Sequence, residues 1–106
     1  MERKIQTAPD LGSKKESRNQ VLFREVNDRV RDVLAPLLTA DEGAEFLCEC
    51  GDEVCLESIQ LDLAEYDAVR VSPHRFFMVP GHENGNGDAI VQRNGRFVVI
   101  ERSVAA

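Results

Sequence analysis

The run Phe46-Leu47-Cys48-Glu49-Cys50-Gly51-Asp52-Glu53-Val54-Cys55 holds all three cysteines of the 106-residue chain within eight positions. Thiolates are good ligands for zinc, and a Cys-x-Cys pair in a turn can aim both sulfurs at one point. Gly51 follows the pair, where a turn around an ion needs positive φ or close backbone approach. Cys55 returns at the start of the next apolar run, so three sulfurs can serve one ion. A tetrahedral site needs a fourth ligand, and the chain has two histidines. His82, presented by Pro80-Gly81, is the better placed. His74 is the other histidine candidate, but it stands beside Arg75, whose charge opposes a nearby cation, and water or an acidic side chain is the remaining alternative. Zinc is the expected ion, and an iron–sulfur cluster with three Cys ligands and one His is the weaker alternative.

Two other chemistries compete for the same residues. A pair such as Cys48 and Cys50 can act as a redox switch, but reactive thiolates need an electropositive setting. Glu49, Asp52, Glu53 and Glu57 crowd these thiols instead, and a dication would offset that charge. A small zinc metalloenzyme needs an open coordination position and a base, for which Glu83 beside His82 is the candidate. The His-x-Glu with Pro-Cys-x-x-Cys pattern of nucleobase deaminases is absent, as are a phosphate loop, a nucleophile elbow and a Ser/His/Asp set. The residues therefore favour a non-enzymatic zinc-binding protein with a structural site that acts through a protein partner.

Charge narrows the partner. The net charge is −6. Ten acidic residues lie between Asp41 and Asp67, with no Lys or Arg among them. Such a surface repels phosphate backbones, so no nucleic-acid partner is expected; the run reads first as a solvated face that keeps the protein soluble, with a docking surface for a basic protein partner as the alternative. The sequence has no apolar run of about 18 residues, which argues against a membrane span. Met1 to Lys15 has no apolar core of a signal peptide, and the expected location is the cytoplasm. The expected oligomeric state is a monomer or weak dimer.

The elements that must position the cysteines read as an α+β domain. Residues 1–16 mix charge, Pro9 and Gly12 and are expected to form a disordered tail. Ser17-Arg18-Asn19-Gln20 fits a capping box, and a helix over Ser17 to Ala35 follows. Leu22, Val26, Val30, Val33, Leu34, Leu37 and Leu38 form one face. That face is expected to dock on the chain's own sheet, with a coiled-coil arm as the alternative. Pro36 ends or kinks the helix.

Short strands are expected at Glu45–Cys48, Leu56–Leu61 and Arg75–Val79. Asp62-Leu63-Ala64-Glu65 reads as an Asp N-cap with Glu at the third position, opening a helix that turns Leu63, Tyr66 and Val69 inward. Asn94-Gly95 predicts a two-residue hairpin between Ala89–Arg93 and Arg96–Arg102, pairing Val91 with Val98 and Ile90 with Val99. With no Trp and six aromatic residues, the core is expected to be mostly aliphatic. The domain should span residues 17–102, with 103–106 frayed.

Taken together, Phe46-Leu47-Cys48-Glu49-Cys50-Gly51, Cys55, Glu65-Tyr66, Val69-Arg70, Pro73, Arg75-Phe76 and Pro80-Gly81-His82-Glu83 resemble a family of small uncharacterised, largely actinobacterial proteins. The resemblance covers roughly residues 18–102. It implies no activity, but it treats the cysteines and His82 as one unit.

Overall fold

A computed structural model describes residues 8–83 and 88–102, with side chains from Lys15 onward. Its elements are α1 (Ala8–Leu34), β1 (Gly43–Leu47), β2 (Ser58–Asp62), α2 (Leu63–Val69), β3 (Arg75–Met78), β4 (Ala89–Arg93) and β5 (Val98–Glu101). The α+β class and the order of elements agree with the sequence reading. α1 begins at Ala8, however, so Ser17 lies inside the helix and the expected cap does not open it. Pro9 sits in the first turn, where a missing N–H removes no helical bond. At the other end α1 stops at Leu34, ahead of Pro36 as expected.

β1 and β2 pair antiparallel as a two-stranded sheet, with Phe46 opposite Ile59. The hydrogen bond from Cys48 N–H to the Glu57 carbonyl (3.1 Å) extends that ladder, so the cysteine run is the loop of a hairpin. A second antiparallel sheet has the order β3-β5-β4. α2 opens with both halves of the expected capping box: the Glu65 N–H donates to Asp62 (2.7 Å) and the Asp62 N–H to the Glu65 carboxylate (3.0 Å). It buries Leu63, Tyr66 and Val69, also as expected.

The β4–β5 turn departs from the expected register. Arg93 faces Val98 and Gln92 faces Val99, and a bulge then shifts the pairing so that Ile90 faces Ile100. The Asn94 side chain is the cause. It accepts from the Arg96 and Phe97 N–H groups (2.8 and 2.9 Å), which makes Asn94 the first corner and moves the turn on by one residue. Gly95 is not among the glycines with positive φ, so the Asn-Gly turn of the usual hairpin is not formed.

The core is more aromatic than composition implies. Five of the six aromatic residues are buried. Phe46, Tyr66 and Phe77 form its centre, with ring centroids 4.5 to 6.3 Å apart. One aromatic ring from each of β1, α2 and β3 joins both sheets and α2 around one point, which is worth more than area alone.

α1 does dock on its own domain, but not by the face that periodicity selects. Gln20 and Asn27 are the fully buried residues of the helix among those described, and Val30 is partly buried against the core. Leu22, Val26 and Val33 face solvent. Asn27 explains the choice: its amide donates to the Leu47 carbonyl (3.0 Å) and accepts from the Leu47 N–H (2.9 Å), completing the edge of β1 as a neighbouring strand would.

Candidate metal centre

The β1–β2 loop and the turn after β3 bring Cys48, Cys50, Cys55 and His82 together, with one ligand atom from each lying within 4.8 Å of all the others. His82 Nδ1 is 3.5 Å from Cys48 Sγ and 3.6 Å from Cys55 Sγ. Cys48 and Cys50 are buried and Cys55 is half-buried. His74 is exposed and takes no part in the group.

Local chemistry sets each ligand. Asp52 accepts from the Val54 N–H through its carboxylate and from the Cys55 N–H through its carbonyl, both at 3.0 Å, which folds the loop back and returns Cys55 toward Cys50. Gly51 has φ of 84°. A Cβ there would run into the Glu16 carbonyl oxygen and lie 2.8 Å from Gln20 Cγ, so both reasons for glycine apply. The Asn19 amide closes the contact by donating to the Gly51 carbonyl (3.0 Å). Pro80-Gly81 turns the chain after β3, with φ of 92° at Gly81 and the His82 N–H on the Val79 carbonyl (2.9 Å). This is the proline-then-glycine order that a type II turn demands.

Two supports lie outside the expected set. His82 Nε2 is 3.3 Å from the Glu57 carboxylate, which leaves Nδ1 to face the thiols. Metal-binding histidines are commonly oriented in this way by a carboxylate on the other ring nitrogen. The Val79 N–H donates to Cys48 Sγ (3.2 Å). Sequence reading counted Glu57 only as surface charge, and its two-residue separation from Cys55 was the available signal.

Glu49, also counted with the surface acids, is instead wholly buried. Its carboxylate pairs with Arg70 and accepts from Asn27 Nδ2 (2.7 Å) and the Phe77 N–H (3.1 Å). Burial pushes the Glu49 carboxyl upward, and Arg70 followed by Asn27 and Phe77 pulls against that. For Arg70, burial is the largest influence and disfavours its charge, but the field of Glu49 and its hydrogen bonds outweigh this and hold the guanidinium charged. Arg70 also donates to Asp28 (2.9 Å) and the Arg75 carbonyl (3.3 Å). Asp28 in turn accepts from the buried Tyr66 hydroxyl.

Several other members of the acidic run have partners far along the chain. Arg31 holds Asp67 (2.9 Å), Lys15 holds Glu53 (2.9 Å), and Arg96 holds Glu65. The run therefore presents less free charge than its sequence implies. On the solvent side of the cysteines is an open cleft of about 240 Å³, lined by Glu16, Cys50, Asp52, Gly81 and His82. Its two carboxylates would draw a cation toward the ligands. Burial raises the thiol pKa of both Cys48 and Cys50, so without an ion these two are neutral thiols at neutral pH.

The arrangement can hold one metal ion. None of the described helices is long and apolar enough to cross a membrane. Comparison with protein families, with curated proteins and with solved structures finds no match to this chain.

Proposed function

We propose that the protein is a non-enzymatic zinc-binding module in which Cys48, Cys50, Cys55 and His82 hold a structural ion, and that it acts through a protein partner. The separation of ligand atoms carries this reading. Zn–S bonds of about 2.3 Å and Zn–N bonds of 2.0–2.1 Å at a tetrahedral angle give a sulfur–nitrogen edge of about 3.6 Å. Two of the three such edges here, from His82 to Cys48 and to Cys55, are 3.5 and 3.6 Å, and all four ligand atoms lie within 4.8 Å of one another. An iron–sulfur cluster fits less well, because its ligands bind different irons and stand further apart.

Four protein ligands fill a tetrahedron, and a closed site is the structural kind. The neutral, buried thiols argue against a resting redox switch, since the reactive form is the thiolate. Support for a partner comes from the ligand loop, where Val54 and Leu56 are exposed beside Asp52, Glu53 and Glu57. The same ligand pattern underlies the resemblance to the small actinobacterial family, and membership of that family is part of the proposal.

Elemental analysis of the purified chain should find one zinc per molecule, and Cys55→Ser should release it. An ion present at about a thousandfold over its Kd contributes about 4 kcal/mol. At no less than about 4 °C per kcal/mol, the variant should melt about 15 °C lower or more. A metal-free wild type, or a Cys55→Ser variant with unchanged metal and Tm, would remove the structural-site reading.

A further inference from the structure

A surface helix ordinarily turns its apolar stripe to the core and its polar side to water. α1 does the reverse over its middle turns. Gln20 and Asn27 are buried, while Leu22, Val26 and Val33 are 52%, 39% and 68% exposed. Arg29, between the last two, is exposed as well. Positions 22, 26, 29 and 33 are spaced by four, three and four. That is the d, a, d, a spacing of a heptad, the seam that one helix offers to another.

We propose that this seam packs antiparallel against the same seam of a second copy, about a two-fold axis between Asn27 and Asp28. That register sets Leu22 against the partner's Val33 and Val26 against the stem of the partner's Arg29. It also brings Glu25, exposed beside the seam, next to the partner's Arg29, and the symmetry repeats each contact. The patch is thus complementary to itself in shape and charge, as a two-fold interface requires. A parallel pairing in register would instead place Arg29 against Arg29, with like charges meeting in the seam.

Leu22 to Val33 covers about 16 Å of helix at about 1.5 Å per residue. Such a strip falls short of the roughly 800 Å² per partner of a standard stable interface. The association is therefore reversible and depends on concentration. It does not rest on the metal ion.

The test is sedimentation equilibrium of the full chain as purified, from about 10 µM to about 1 mM. The mass should rise from 11.9 kDa toward twice that value. The double variant Leu22→Gln, Val33→Gln should remain at the monomer mass with unchanged circular dichroism and Tm. Glu25→Arg and Arg29→Glu should each be monomeric alone and associate when mixed, because every cross-pair is then opposite in charge. A wild type at monomer mass throughout, a dimer indifferent to the Leu22 and Val33 changes, or two charge variants that do not associate would each overturn the proposal. The charge variants decide the matter if the double variant misfolds. Metal content measured on the same samples keeps this outcome separate from the zinc reading.

Discussion

Replacing Arg70 with Met keeps the length of the side chain and removes its charge, leaving Glu49 buried between two candidate ligands. The carboxylate would keep its bonds from Asn27 Nδ2 and the Phe77 N–H but lose both guanidinium donors. Removing one partner of a buried ion pair costs about 3–5 kcal/mol, because the other charge is left uncompensated. Glu49 can relieve part of this by taking up a proton, since burial already favours its neutral form. Losses elsewhere add to the cost. Arg70 is also bonded to Asp28 and the Arg75 carbonyl, and its guanidinium carbon lies 4.7 and 5.1 Å from the Tyr66 and Phe77 ring centroids.

We therefore expect Arg70→Met to destabilise by about 4 kcal/mol, a large part of the 5–15 kcal/mol typical of a domain. The assay is urea unfolding followed by circular dichroism at fixed free zinc. Adding Glu49→Gln should recover part of the loss, because a neutral amide replaces the stranded charge. If Arg70→Met stays within about 1 kcal/mol of wild type, or if the double variant is no better, the central role given to this pair is wrong.

Gly51 and Gly81 form a matched pair of tests. Both have positive φ, but a Cβ on Gly51 meets α1, whereas nothing lies within 4 Å of one on Gly81. Gly81→Ala should cost about 1–2 kcal/mol of backbone strain alone. Gly51→Ala should cost at least about 1 kcal/mol more, from overpacking against the helix, and equal losses would contradict the close approach. The pH dependence of metal affinity follows from the neutral thiols. Burial raises the pKa of Cys48 and of Cys50, so binding an ion at neutral pH displaces a proton from each. Affinity measured by chelator competition should then rise about a hundredfold per pH unit from these two thiols, and fall equally as pH drops. A constant affinity between about pH 6 and pH 8 would show that the thiols are not ligands.

Features settled within a few residues were legible in the sequence. The cap at Asp62 and Glu65 is decided across three positions, and Pro36 acts on its own helix. The candidate ligand group was legible because three cysteines fall within eight positions and Pro80-Gly81 marks the turn that presents His82. Glu49 was misread because its surroundings are remote: Arg70, Asn27 and Phe77 lie 21 to 28 positions away. Its type and its acidic neighbours pointed to the surface. Periodicity identified an apolar side of α1 but not what would cover it. Asn27 won the inward position because two hydrogen bonds to the open edge of β1 have no apolar substitute.

The outer edge of β3 explains why candidate metal ligands and a buried ion pair occur in one short segment. β5 occupies one side of β3, through Phe76 and Met78 among others. Backbone groups on the other side would be buried without partners, at a cost comparable to lost hydrogen bonds. The cysteine segment and Arg70 together satisfy them largely with side chains. The Phe77 carbonyl accepts from the Glu49 N–H, and the Phe77 N–H donates to the Glu49 carboxylate. The Val79 N–H donates to Cys48 Sγ, and the Arg75 carbonyl accepts from Arg70. A regular strand there would offer main-chain groups alone and could bring neither a thiolate nor a carboxylate to the edge. Cys48 is thus placed to serve both an ion and the sheet, as its neighbour Glu49 serves both the sheet and Arg70. Loss of the ion should accordingly be felt along β3 as well as in the loop that holds it.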